Sequence, residues 1–171
     1  MENSILNYDL TTLKNIVNKK NVNEIIFKIF DDDKKPNWTP LIKVATLKKK
    51  REENLRYNGV VSSFNSNDDY KLAKLLINSG ADLNYQDKNG NTALIYCVYY
   101  NNIKLLKLLI KSGADLNIKD NNGSSALIIA GYSNKFNIGD ILIKSGADQR
   151  IKNNNGDNYS IFLKNSYKIN E

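Results

Sequence analysis

The 171-residue chain has no histidine, one cysteine (Cys97), two prolines, one tryptophan and one methionine. Each shortage excludes something. Without histidine, the commonest general base and the commonest metal ligand are both missing, so Ser-His-Asp, Cys-His and most zinc constellations cannot be assembled. A single cysteine excludes an internal disulfide framework and fits a reducing compartment. Long apolar runs are also missing. Leu105-Leu106 and Leu108-Leu109-Ile110 are interrupted by lysines, so neither a transmembrane span nor a signal-peptide core is expected, and the reading is of a soluble intracellular, cytoplasmic protein.

Acidic residues are outnumbered: 18 Asp and Glu face 25 Lys and Arg, for a net charge of +7. The lysines are scattered rather than gathered in one tract, and with the abundant Asn and Ile they suit an AT-rich genome as well as an acidic partner. Glycine-rich phosphate loops are missing too, since no G-x-x-x-x-G-K-[ST] or G-x-G-x-x-G opens a helix. Asp31-Asp32-Asp33 lacks the alternating ligands and closing glutamate of a calcium loop. Cys97 aligns with Val44 and Ala130 and reads as a small buried filler. The expectation is of a protein that is not an enzyme and uses no cofactor or metal.

What the chain does have is a period. "NSGADLN" (78–84), "KSGADLN" (111–117) and "KSGADQR" (144–150) place Gly80, Gly113 and Gly146 at intervals of 33. "DKNGNTALI", "DNNGSSALI" and "NNNGDNYSI" place Gly90, Gly123 and Gly156 at the same interval. Two independent marks with one period define a repeat array. Within each repeat an Asp or Asn opens a tight turn, and the glycine takes its positive-φ position; Asn37 stands at that place in the earlier "KKPNWTPL". Thr39, Thr92, Ser125 and Asn158 follow as helix N-cap residues, with Pro40 suited to a first helical turn. A second, leucine-rich helix ends at the glycine of "SGAD", with Lys104, Lys107 and Lys111 along the wet edge of the one that contains Leu105 and Leu109. The regularly placed Asp82, Asp115 and Asp148 then suit loop backbone bonding better than catalysis, for which a carboxylate pair would have to flank a substrate.

The turn, the "TPL" or "TAL" triplet, the leucine-rich helix, "SGADLN" and the 33-residue spacing resemble the ankyrin repeat, most clearly over 37–152. The resemblance implies an all-α repeat solenoid of helix-turn-helix units joined by β-hairpin-like turns. One domain over 1–171 would comprise a degenerate N-terminal unit (1–36), a unit at 37–86 with an insertion of about 20 residues near 49–68, units at 87–119 and 120–152, and an incomplete cap (153–171). The family's usual histidine after "TPL" is replaced by Ile42, Ile95, Ile128 and Ile161, so apolar packing is expected where the family has polar bonds. Gly131 and Gly139, inside two helices, mark the unit at 120–152 as the loosest.

The same resemblance implies a non-catalytic module that binds a partner protein, as a monomer, through a concave groove of turn tips and first helices. Matched position by position, the tips are Trp38, Gln86, Lys88, Asn89 and Asn91, then Lys119, Asn121 and Asn122; the helix positions include Thr46, Tyr99, Tyr100, Tyr132 and Ser133. Aromatic side chains there suit interface anchors, and equally suit packing against neighbouring repeats. Composition and the tolerated insertion also resemble ankyrin-repeat proteins of giant DNA viruses and some intracellular bacteria, which would make a host protein the partner, in host cytoplasm or nucleus.

The insertion itself, "KKKREENLRYNGVVSSFNSND" (48–68), reads first as a prolonged, solvent-exposed first helix ending near Gly59, then a loop returning to a second helix at Tyr70. A second reading makes it a partner-specific contact through Arg51, Arg56, Tyr57 and Phe64, and a third, the alternative for the whole chain, a basic nucleic-acid-binding or nuclear factor acting through the cationic stretch 48–56. Nucleic acid is the less favoured partner, because Glu52 and Glu53 weaken the local positive field.

Overall fold

A computed structural model describes residues 39, 41–46 and 66–167. Trp38, the degenerate first unit and the course of the chain over 47–65 lie outside these residues. The chain divides into two compact parts, Met1–Asp82 and Leu83–Glu171. Helices supply all the regular structure among the described residues, with one isolated bridge between Lys119 and Ser125.

In the first part, residues 41–46 are helical, and Leu41, Ile42, Val44 and Ala45 are buried. Thr39 caps the start, its Oγ1 accepting the Ile42 N–H at 3.4 Å. Thr46, expected in the groove, is buried and donates its hydroxyl back to the Lys43 carbonyl at 2.8 Å. Helix α1 spans Ser66–Asn78 and begins four residues before the expected Tyr70. Asp69 in its first turn suits the earlier start, because negative charge there is favoured by the helix dipole.

In the second part, α2 (Ala93–Tyr99) pairs with α3 (Ile103–Lys111), α4 (Ala126–Tyr132) pairs with α5 (Phe136–Lys144), and α6 (Tyr159–Tyr167) follows. The first helices stack in a row, with α4 packed between α2 and α6. That position explains sequences as apolar as "ALIYCV" and "ALIIAG", every residue of which is buried. On α3 the two-faced pattern holds: Leu105, Leu106 and Leu109 are buried while Lys104, Lys107 and Lys111 are exposed. Cys97 is fully buried, and burial pushes its thiol well above the ordinary range, so it is no nucleophile at neutral pH.

The "SGA" triplets end the second helices in one way. Ala81, Ala114 and Ala147 each donate a backbone N–H to the carbonyl five residues back, while the preceding glycine donates to the one three residues back, all at 3.0 Å. Between the paired helices, Asn101 (φ 52°) and Asn134 (φ 53°) take the glycine role, as asparagine can. Lys135 then reaches back from one repeat to the other, its Nζ donating to the carbonyls of Val98 and Tyr99 at 2.8 Å each. A cation at the carbonyls that end α2 adds to the Asn101 N–H already bound by Val98 and suits the negative end of the helix. Lys135→Met is expected to cost about 1 kcal/mol, reduced from a buried bond's value by its partial exposure, as urea unfolding would show.

Two expectations need correction. The isoleucine exchange holds at Ile42, Ile95 and Ile128, all buried, but Ile161 is 37% exposed because α6 meets the preceding repeat through Tyr159 and Phe162, which face Gly139 and Gly131. Gly131 and Gly139 are not simply weak points. A Cβ on Gly131 would run into the ring of Phe162, and one on Gly139 into the hydroxyl of Tyr159, so both glycines are sockets for aromatic side chains of α6.

Candidate functional site

The site is built from the turns upward. Asp87, Asp120 and Asn153 open successive turns, and in each the side-chain Oδ1 accepts backbone N–H groups two and four residues on, at 2.8–3.0 Å. The glycine N–H closes each turn onto the carbonyl of that same Asp or Asn. Gly90, at φ 76°, is confined further: any Cβ would meet the backbone of Asn121.

The turns are tied to one another. Asn121 donates its backbone N–H to the Asn89 carbonyl and Asn154 donates to that of Asn122, both at 3.0 Å. Side chains repeat the stride: Asn121 Nδ2 donates to the Lys88 carbonyl at 2.9 Å, and Asn154 Nδ2 to that of Asn121 at 3.2 Å. Gln86 Nε2 bridges the carbonyls of Gly90 and Lys119, and Lys119 Nζ reaches the Lys152 carbonyl. Gln86, Lys119 and Asn121 therefore hold neighbouring tips in register, whatever else they touch. The regularly placed carboxylates also serve the loops: Asp115 Oδ1 accepts the Asn117 N–H, and Asp148 Oδ1 that of Arg150. The Arg150 guanidinium and N–H hold the Asp148 carboxyl below the usual range.

The ends of α2 and α4 look onto these turns. Tyr99 (40% exposed), Asn122, Tyr132 (49% exposed) and Ser133 line one open depression of 380 Å³ together with Asp120 and Asn154. The sequence reading named Tyr99, Asn122, Tyr132 and Ser133 and missed Asp120, Ile129, Asn153, Asn154 and Asn155, which line the same depression. Lys88 and Asn89 are exposed at their tip. Asn91 is a correction: it is 9% exposed, and its N–H is taken by Asp87, because the turn folds its last residue inward. Tyr100 is half-buried, stacked on Tyr96 with centroids 5.9 Å apart.

The tyrosines differ in their ties to the scaffold. Tyr132 donates its hydroxyl to Asp157 Oδ2, accepts from Asn153 Nδ2, and packs its ring on Phe162 at 4.6 Å, so half of its surface is committed to the next turn and to α6. Tyr99 leans on Tyr96 at 6.2 Å; its phenol is pushed up first by burial, then by the Asp120 carboxylate. Tyr96, unnoticed in the sequence reading, is buried, and its hydroxyl donates to Asp87 Oδ2 at 2.7 Å. Comparing equivalent repeat positions would have found it, since the same column holds Ile129 and Phe162.

Among the described residues no three acidic or cysteine side chains gather as a metal set, and no helix is long and apolar enough to cross a membrane. A family model described as ankyrin repeats, in three copies, matches residues 61–153, and the chain belongs to the ankyrin-repeat family. Among solved structures, the chain is similar to the ankyrin repeat domain of Bcl-3, described as a unique member of the IkappaB protein family. The identity is 26%, the TM-score 0.59, and the match covers 74% of this chain and 47% of that one. The chain thus matches about half the length of that domain. No curated protein sequence matches. Ankyrin repeats are in general protein–protein interaction modules and typically non-catalytic.

Proposed function

We propose that this chain is a non-catalytic binding module that grips a partner protein in the depression bounded by the turn tips and the ends of α2 and α4. The observation that carries the reading is the conjunction of two exposed tyrosine rings with amide and hydroxyl side chains on a turn framework fixed by tip-to-tip hydrogen bonds. Large aromatics with a polar end are favoured anchors, and a surface fixed before contact loses little entropy on binding. Tyr99 carries the assignment better than Tyr132, which also holds the scaffold. Partners captured by the intact chain should be lost with Tyr99→Ala, at unchanged thermal stability to within about 1 kcal/mol for a partly exposed side chain. A partner retained in full by a folded Tyr99→Ala chain sinks the groove assignment.

A further inference from the structure

The two aspartate-opened turns are alike in backbone and unlike in one atom. At Asp87 both carboxylate oxygens are occupied: Oδ1 accepts the N–H groups of Asn89 and Asn91, and Oδ2 accepts the Tyr96 hydroxyl. At Asp120, Oδ1 accepts the N–H groups of Asn122 and Ser124, but the residue 33 positions after Tyr96 is Ile129, which has no hydroxyl to give. No described side chain donates to Asp120 Oδ2, although Asp120 is only 7% exposed and lines the depression with Tyr99 and Tyr132. A carboxylate oxygen of a mostly buried residue that lines an open depression and is left without a protein donor is available to a cation. None of the residues lining the depression is Lys or Arg, in a chain of net charge +7. Lys135, next in sequence to this wall, is directed at the carbonyls of Val98 and Tyr99.

We infer that the groove recognises an arginine side chain on the partner protein, its guanidinium donating to Asp120 Oδ2 beside the rings of Tyr99 and Tyr132. Arginine fits better than lysine because its planar group can lie on a tyrosine face while its edge donates to the carboxylate. Ile129 is then a specificity-determining residue, since its lack of a hydroxyl leaves that oxygen available. This inference rests on the groove reading above.

The test is a titration of the full chain, isotopically labelled, with the capped peptide Ser-Gly-Arg-Gly-Ser and with versions carrying Lys, norleucine or Glu at the centre. Saturable amide shifts at Tyr99, Asp120 and Tyr132 are expected with the arginine peptide, weaker ones with lysine, and none with the other two. Asp120→Asn should weaken the arginine peptide about tenfold or more, the scale of a lost charge-assisted bond. It should fold normally, because Asn153 holds the same pair of N–H groups in the next turn. Ile129→Tyr should have the same effect by covering Oδ2 as Tyr96 covers that of Asp87. Equal binding of the norleucine, lysine or Glu peptide, no arginine-dependent shift, or unchanged affinity in Asp120→Asn overturns the inference. If a captured partner is lost with Tyr99→Ala but kept by Asp120→Asn, the arginine inference falls while the groove stands; if both variants keep it, the groove reading falls as well.

Discussion

Replacing Asp87 by alanine is expected to lower folding stability by about 3 kcal/mol, the sum expected when one buried carboxylate with three hydrogen bonds is removed and its donors are left in a dry turn. The three are the N–H groups of Asn89 and Asn91 and the Tyr96 hydroxyl, at 2.9, 2.9 and 2.7 Å. Asp87→Asn should cost only about 1 kcal/mol, because an amide oxygen can keep the two backbone bonds and only the charged acceptor is lost. Urea unfolding of the two variants checks this, and an alanine variant within experimental error of the parent would show that the turn does not depend on the carboxylate. Tyr96 adds a pH dependence. Burial, then the bond to Asp87 and its charge, raise the Tyr96 phenol above its ordinary value of 10.0 in the folded chain. The neutral phenol is therefore no liability below that value. As the pH climbs beyond it, the unfolded chain releases the proton more readily and stability is lost. Tyr96→Phe should flatten that alkaline loss while lowering stability at neutral pH.

Gly139→Ala is the second substitution with a large expected effect, and its sign is opposite to intuition. Inside a helix the exchange usually gains about 1 kcal/mol. Here the new methyl group would occupy the space of the Tyr159 hydroxyl and ring, and over-packing of that kind costs about 1–3 kcal/mol. The measurable consequence is faster amide exchange along α6 together with a lower unfolding midpoint. Tyr159→Phe separates the causes. The Tyr159 hydroxyl is buried with no hydrogen-bond partner among the described residues, so its removal is expected to be neutral or stabilising by up to about 1 kcal/mol. Combined with Gly139→Ala, it should recover part of the loss, giving a coupling energy that independent sites would not show. A stabilised Gly139→Ala chain, or strictly additive effects, would refute the socket.

The repeat, its turns and its helix ends were readable because each depends on local chemistry that recurs every 33 residues: the oxygen of Asp87, Asp120 or Asn153, a positive-φ glycine, and the "SGA" helix end. The start of α1 at Ser66 differs from the expected Tyr70 because it lies beside an inserted stretch with no other repeat to align it. What escaped the sequence reading depends on contacts between repeats. Gly131 and Gly139 look like helix weaknesses until Phe162 and Tyr159 arrive from the next repeat. Tyr132 looks like an open anchor until Asp157 and Asn153, more than 20 residues on, claim its hydroxyl. Asp120 looks like every other turn opener. Only its neighbour Ile129, in place of a tyrosine, leaves one of its oxygens in the groove.

The bonds between tips join identical atoms at a constant separation in sequence: Asn121 to Lys88 and Asn154 to Asn121 by side-chain amide, both 33 residues apart. Such a lattice tolerates change in whole numbers only. Deleting or duplicating one complete repeat returns every donor to an equivalent acceptor, whereas removing even one residue from a tip shifts all later partners out of step. Gene-level gain and loss of modules is thus structurally smooth at these tips, and the length of the recognition surface can vary in 33-residue increments while its local geometry stays fixed.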